Sequence, residues 1–201
     1  MSLLFETIKL QNRQLFNLYY HNQRLNESRF ALFGIAQPID LQDFIKIPAN
    51  LGNDLYRCRV SYAQQIESVA FFPYQFKHPK RIKLVENLEI SYPHKFENRQ
   101  CFQKLLDENP DFDEVIITQN GYITDATFAN LAFFDGTNWF TPTTYLLKGT
   151  KRSYLIDNKQ LVERIIKVSD LKNFKKIALV NAMRGLELAY NFVFDEDIII
   201  S

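Results

Sequence analysis

Apolar and polar positions alternate at strand spacing through most of the first ninety residues, broken by two stretches of helical spacing. Residues 3–10 (LLFETIKL) and 14–20 (QLFNLYY) are apolar, β-rich runs around QNRQ, a pattern that predicts a hairpin. Residues 21–34 set Leu25, Phe30 and Leu32 among polar and charged residues and stop at Gly34, as a short helix does. Residues 40–47 (DLQDFIKI) read as a second helix with Asp40 at the N-cap. LYRCRVSYA, SVAFFPYQF and KRIKLVENLEI then read as successive strands, so this first part is α+β.

After residue 90 the order changes. ENRQCFQKLLDEN predicts a helix, DEVIITQ and YITDAT predict strands joined by an Asn-Gly turn, and Asp135-Gly136 marks a tight hairpin within NLAFFDGTNWFTP. A loop, TTYLLKGTKRS, leads to a short helix. A strand (LVERIIKV), a helical turn (SDLKNF) and a last strand (KIALVNAM) complete the pattern. No repeat or low-complexity segment interrupts it. The expected division is a small α+β domain over residues 1–90 and a larger domain over residues 91–201.

Composition narrows the class. With 46% hydrophobic residues in 201, the chain can fill one large core or two smaller ones. Lys and Arg number 24 against 23 Asp and Glu, so no global field draws nucleic acid, a membrane surface or an acidic partner. Cys58 and Cys101 fall in no CxxC or Cys/His spacing and fit a reducing compartment better than a disulfide framework. His21, His78 and His94 form no metal-ligand cluster, and no stretch reaches the roughly 18 apolar residues of a membrane span. A cytoplasmic protein without a metal, a membrane anchor or a nucleic-acid partner is the expectation. KHPKRIK, at residues 77–83, gathers five basic residues without a recognition motif and reads as a solvated strand edge.

Four polar features stand at element ends: Arg24 in HNQRL, Lys95 in KFENR, Asp125 in YITDAT, and the Gly149-Thr150 backbone in LLKGTKR. By residue type alone each is an ordinary surface or turn residue. Their order changes the picture. LFETIKL resembles the glFET.rv opening of the fold-type IV pyridoxal-phosphate enzymes, the class IV aminotransferases, and HNQRL resembles their H..RL. KFENR is similar to the K.lNR that aminodeoxychorismate lyases show around their reactive lysine. DEVIITQNGYITDATFANLAFFDGTNWFTP resembles DEall.d..G.v.E.t.sNlf...g...TP, LKGTKR resembles v.Gi.R, and KIALVNAMRGLELA resembles NaL.Gi.pv. Six blocks follow in register from Phe5 to about Ala189.

The resemblance implies a two-domain fold like that of D-amino acid aminotransferase, with a small N-terminal domain and a larger barrel-like one carrying Lys95. It also implies a homodimer and bound pyridoxal phosphate. The chain starts almost at FET, without the strand and GDG turn usual in the family, so a shortened N-terminus is expected. Carried over by position, Lys95 would bind the cofactor covalently through its ε-amine. Arg24 would grip the phosphate with its planar fork. Thr150 and Lys151 would offer it a helix start, and Asn181 and Ala182 a second loop of backbone N–H groups. Asp125 takes the place of a family glutamate that meets the pyridine nitrogen, and is one methylene shorter. Thr7 shares a strand face with Phe5 and would bring a hydroxyl to the reacting atoms. Asn130 reads as structural, bonding loop backbone.

The activity so implied is 4-amino-4-deoxychorismate lyase, which yields 4-aminobenzoate and pyruvate from a small-molecule amine. A class IV aminotransferase acting on branched-chain or D-amino acids is the alternative, with Arg57 and Arg59 as candidate carboxylate clamps. A catalytically degenerate cofactor-binding member is the third.

Overall fold

The structure is a computed structural model that describes residues 3–76, 78–195 and 198–200. Its contacts form two compact units, Met1–Phe76 with His94–Asn98, and Lys77–Pro93 with Arg99–Ser201. The expected boundary at residue 90 differs from this partition. The chain leaves the first unit at residue 76, returns for residues 94–98, and leaves again, so Lys95 belongs by its contacts to the first unit.

In the first unit, strand β1 (Leu4–Gln11) reverses through Asn12 and Arg13, both at positive φ, into β2 (Gln14–Leu15). Two consecutive left-handed residues make the turn that matches strand twist. The predicted second strand ends after two residues because helix α1 (Leu18–Phe33) begins within it. Gly34 closes α1 at φ 68, its N–H bonded to Phe30 O at 2.9 Å. The four-residue α2 (Leu41–Phe44) follows, with the Asp40 carboxylate accepting from Gln42 N–H as predicted.

Strands β3 (Tyr56–Tyr62) and β4 (Ile66–Pro73) complete an antiparallel sheet ordered β2-β1-β3-β4. Alternation sorts its faces. Leu4, Ile8, Cys58, Val60 and Tyr62 pack with Leu25 and Leu41. Phe5, Thr7, Arg57, Arg59 and Ser61 lie on the other face. Residues 95–97 extend the sheet at the free edge of β1. Phe5 N–H donates to Lys95 O at 3.0 Å, Glu97 N–H donates to Leu3 O at 2.9 Å, and Leu4 bridges Phe96.

The second unit contains β5 (Arg81–Glu86), α3 (Gln100–Asp107), β6 (Glu114–Gln119), β7 (Tyr122–Ala126), β8 (Asn130–Phe134), β9 (Trp139–Pro142), α4 (Thr150–Asp157), β10 (Val162–Arg164), β11 (Lys176–Val180), β12 (Tyr190–Asn191), β13 (Val193–Asp195) and β14 (Ile198–Ile200). They form two five-stranded sheets, β13-β14-β5-β6-β7 and β10-β9-β8-β11-β12. Ile82, Ile116, Ile123, Leu131, Phe133, Ile177, Leu179 and Ile199, drawn from both sheets, fill one shared core. Each such side chain contributes about 1.5–3 kcal/mol on burial. The intervening residues of β8 and β11, Ala132, Ala178 and Val180, face Leu155 of α4 instead.

Several predicted elements are shorter than expected, among them the helix at 40–47, which is only α2, and the strand at 176–183, which is only β11. The strand at 80–90 runs only over β5, the strand at 161–168 only over β10, and the helix at 97–109 only over α3. The basic run is not an edge, because β5 pairs with β6 on one side and β14 on the other. Arg81 and Lys83 lie over the Phe112 ring; Lys77 lies outside the described residues. Among the described residues no helix is long and apolar enough to cross a membrane.

Candidate functional site

The extended path of residues 95–97 along β1 sets the Lys95 side chain. Alternation puts it on the Phe5 face, and Nζ lies 4.6 Å from the Phe5 ring centroid. Arg59, which pairs across from Thr7 on β3, brings its guanidinium carbon to 4.0 Å from the same centroid. Two cations on one ring are drawn by its electron-rich face. Glu97 balances them, its Oε1 accepting from Arg59 Nη2 at 3.0 Å and Ser61 Oγ at 2.6 Å. Thr7 is half-buried on this face. Arg57, the other proposed clamp, is exposed over Phe72, so the two arginines of YRCRV have separate partners.

On the opposite face β1 buries Glu6 completely. Residues 21, 24, 25 and 28 of α1 share the helix face that meets it. The Glu6 carboxylate accepts from Arg24 Nε at 2.9 Å and Nη2 at 2.5 Å, and bonds His21 Nδ1 at 2.6 Å. Burial opposes charge on Glu6, but the Arg24 guanidinium and His21 outweigh it and hold the carboxyl at about 2. Burial pushes His21 below its ordinary value against the pull of Glu6. Arg24 is therefore half of a buried fork-to-carboxylate pair and nine-tenths buried, whereas its sequence pattern shows only a cation on a helix. One turn further on, Ser28 Oγ bonds His94 Nδ1 at 3.0 Å, next to Lys95 in the chain.

In the second unit, Asp125 on β7 is buried. Its Oδ2 accepts from the backbone N–H groups of Leu146 (2.9 Å) and Leu147 (3.0 Å), and its Oδ1 from Asn130 Nδ2 (2.8 Å). Burial pushes the carboxyl up to about 6, against these hydrogen bonds and the more distant Arg152. Asn130 also donates to Leu147 O at 2.8 Å, the loop bond its sequence context suggests. Gly149 caps α4, and a Cβ there would overlap Asn130 Oδ1. Thr150 is buried in the first turn of α4 and Lys151 follows it.

Asn181 and Ala182 open a tight reversal in which Asn181 and Arg184 exchange backbone hydrogen bonds, both at 3.1 Å. Asn181 Oδ1 accepts from Met183 N–H at 2.9 Å. The turn thus spends the N–H groups of residues 181, 183 and 184 on itself. A Cβ on Gly185 would lie 2.6 Å from Glu187 Oε2 and 2.9 Å from Lys151 Cε. Lys151 therefore brings the start of α4 against the 181–185 turn. Of the residues proposed from sequence, Lys95, Thr7 and Arg24 lie in the first unit and Asp125, Thr150, Lys151, Asn181 and Ala182 in the second.

Glu6, His21 and Arg152 escaped the sequence reading. FET and H..RL both contained the signal, since an acid at a core-facing strand position requires partners. Arg152, the arginine of LKGTKR, is buried and bonded to Thr141 Oγ1, Pro142 O and Glu163, tying α4 to β9.

A family model described as "Amino-transferase class IV" matches residues 100–187. A Haemophilus influenzae protein named "Uncharacterized protein" is 34% identical over 91% of this chain and 98% of its own. The solved structure of a protein from Haemophilus somnus, described as a "putative 4-amino-4-deoxychorismate lyase", is 34% identical over 92% of this chain and 98% of its own, with a TM-score of 0.85. A Mycobacterium tuberculosis protein, described as a "hypothetical aminotransferase" in its "PLP-bound form", shares the fold at 18% identity and a TM-score of 0.72, over 94% of this chain and 80% of its own.

Proposed function

The chain belongs to the class IV aminotransferase family, with its fold-type IV architecture, and from that premise we propose that it is a pyridoxal-phosphate-dependent 4-amino-4-deoxychorismate lyase producing 4-aminobenzoate, a folate precursor, and pyruvate. The observation that carries this reading is the Lys95 amine, held on the Phe5 ring beside Arg59 within the KFENR block. It stands in a chain 34% identical to a protein whose name carries that activity. The family resemblance carries the reading of a homodimer, and the two free cysteines, Cys58 and Cys101, fit a reducing cytoplasm.

Each unit carries groups of the kind that pyridoxal phosphate takes. Lys95 offers a primary amine for the aldehyde. The buried Asp125 carboxylate offers an anion for a protonated ring nitrogen, with three of its roughly four lone-pair sites committed. Gly149 and Gly185 each stand where a Cβ would collide, because Asn130 lies against the first and Glu187 and Lys151 against the second. The start of α4 at Thr150 and Lys151 and the Ala182 N–H would hold the phosphate, while Arg24, the phosphate arginine by position, has its Nε and Nη2 on Glu6. Bound pyridoxal phosphate supplies a ring that takes up the electron pair left at a deprotonated carbon.

In turnover Lys95 is the base: it takes the proton from the ring carbon bearing the amino group and returns one to the enolpyruvyl methylene as pyruvate departs. Phe5 and Arg59 hold the amine in place on this face of the sheet. Arg59 also suits a substrate carboxylate, and Thr7 places a hydroxyl on the same face. That carboxylate site is the observation favouring transamination as the second reading. The test supplies aminodeoxychorismate to the loaded protein. Release of 4-aminobenzoate with pyruvate is expected, with loss of both in Lys95→Ala. Borohydride reduction should fix cofactor mass on the peptide containing Lys95. Amino transfer to a keto acid without 4-aminobenzoate selects the second reading, and cofactor mass fixed equally in Lys95→Ala refutes both.

A further inference from the structure

Asp125 stands where the family pattern has a longer acid, and three of its roughly four acceptor sites are spent on its own chain. Leu146 and Leu147, two consecutive residues of the connection between β9 and α4, give both their N–H groups to Asp125 Oδ2. Asn130 takes Asp125 Oδ1 with one side of its amide and the Leu147 carbonyl with the same NH2 group. The loop is therefore gripped at both its donors and its acceptor by side chains of β7 and β8. Two residues on, the Asn130 carbonyl oxygen occupies the space of a Gly149 Cβ, and Gly149 O begins α4 by accepting from Ser153 N–H at 2.9 Å. Arg152, the cation facing this carboxylate, is committed to Thr141, Pro142 and Glu163.

We infer that Asp125 is a positioning residue: with Asn130 it latches the 146–149 connection onto β7 and so fixes where the first turn of α4 stands. The latch is made entirely of the chain's own groups. Its consequence rests on the reading above: because the first turn of α4 holds the cofactor's phosphate, the length of this acid tunes phosphate grip. An aspartate reaches the Leu146 and Leu147 N–H groups from β7. A glutamate would carry its oxygens one methylene past them, and an asparagine would turn an NH2 group against the Asn130 NH2.

The experiment uses the full chain before cofactor is added and follows backbone amide exchange of Leu146 and Leu147. Both amides should be protected in the unsubstituted protein and exchange about 10- to 100-fold faster in Asp125→Glu and Asp125→Asn, while the β6 and β8 amides stay unchanged. Unprotected Leu146 and Leu147 amides in the unsubstituted protein overturn the latch, as does equal protection in Asp125→Glu. Affinities for pyridoxal and pyridoxal phosphate are then compared. Asp125→Glu should lose about tenfold for the phosphorylated form and little for the other. Protected amides in a protein that binds neither compound keep the latch and sink the cofactor reading. An equal loss for both compounds overturns the link to phosphate.

Discussion

Replacing Arg24 with methionine should reverse the sign of one contribution to acid stability. The Glu6 carboxyl sits at about 2 in the folded chain against an ordinary 4.5, and at 1.36 kcal/mol per unit this is worth about 3 kcal/mol. Because the folded value is lowered, that stability is complete above the unfolded value and drains away as pH falls from about 4.5 through 2. Methionine keeps the aliphatic volume of Arg24 but removes the cation that does most to offset burial. The carboxyl, fully buried and left with His21, then rises above its unfolded value. Its contribution now weakens as pH rises, and breaking the pair costs about 3–5 kcal/mol at neutral pH. Denaturant unfolding from pH 3 to 8 reads the effect as a difference between the two proteins, in which other titrating groups largely cancel. The double variant Glu6→Gln with Arg24→Met removes both charges and should recover most of the loss; its difference from the parent then follows only the parent's own Glu6 contribution, flat above about pH 4.5 and shrinking below it. An Arg24→Met protein whose stability falls with acid as steeply as the parent's would refute the reasoning.

Gly149→Ala should cost about 1–3 kcal/mol by overpacking, since the added methyl meets Asn130 Oδ1. The backbone there, at φ −72, suits alanine, so Asn130→Ala in the same chain should return part of the loss in a double-mutant cycle; a purely additive cycle sinks the explanation. Asn26→Ala should cost about 1–3 kcal/mol for each Ile39 backbone group it strands, because Asn26 Oδ1 accepts the Ile39 N–H at 2.8 Å and Nδ2 donates to Ile39 O at 2.9 Å. Unfolding curves of Asn26→Ala that overlay the parent's would contradict that accounting.

What was legible in the sequence is what depends on neighbours in the chain. The Asn-Gly turn at 120–121, the Gly34 helix stop and the Asp40 cap each follow from one residue's backbone preference, and each appears in the fold. The length of the second hairpin strand was not legible, because α1 wins residues 18–20 by burying Leu25 and Ser28 against a sheet formed mostly by later residues. Nor was the interior position of β5. Its Arg81 and Lys83 look like edge protection, but β14, more than a hundred residues on, covers that side. Lys95 was legible as a candidate through its block, yet its place with the first unit comes from the Phe96–Leu4 bridge beside it, a pairing that no local periodicity encodes.

The candidate site divides along the same line. A lysine, an arginine and an acid can be nominated by pattern, but what each does is set by which partners lie within one side chain's length. Glu6 meets Arg24 and His21 because a helix face and a strand face happen to align across 18 and 15 positions. Asp125 meets Leu146 and Leu147 across 21 and 22 positions, and one methylene decides whether it grips them. A family block fixes residue type at a position to the nearest resemblance, whereas a hydrogen bond tolerates only a few tenths of an ångström. The departure from glutamate to aspartate is therefore where resemblance carries least and geometry most, and the loop bonds of Asp125 give that substitution a physical role of its own.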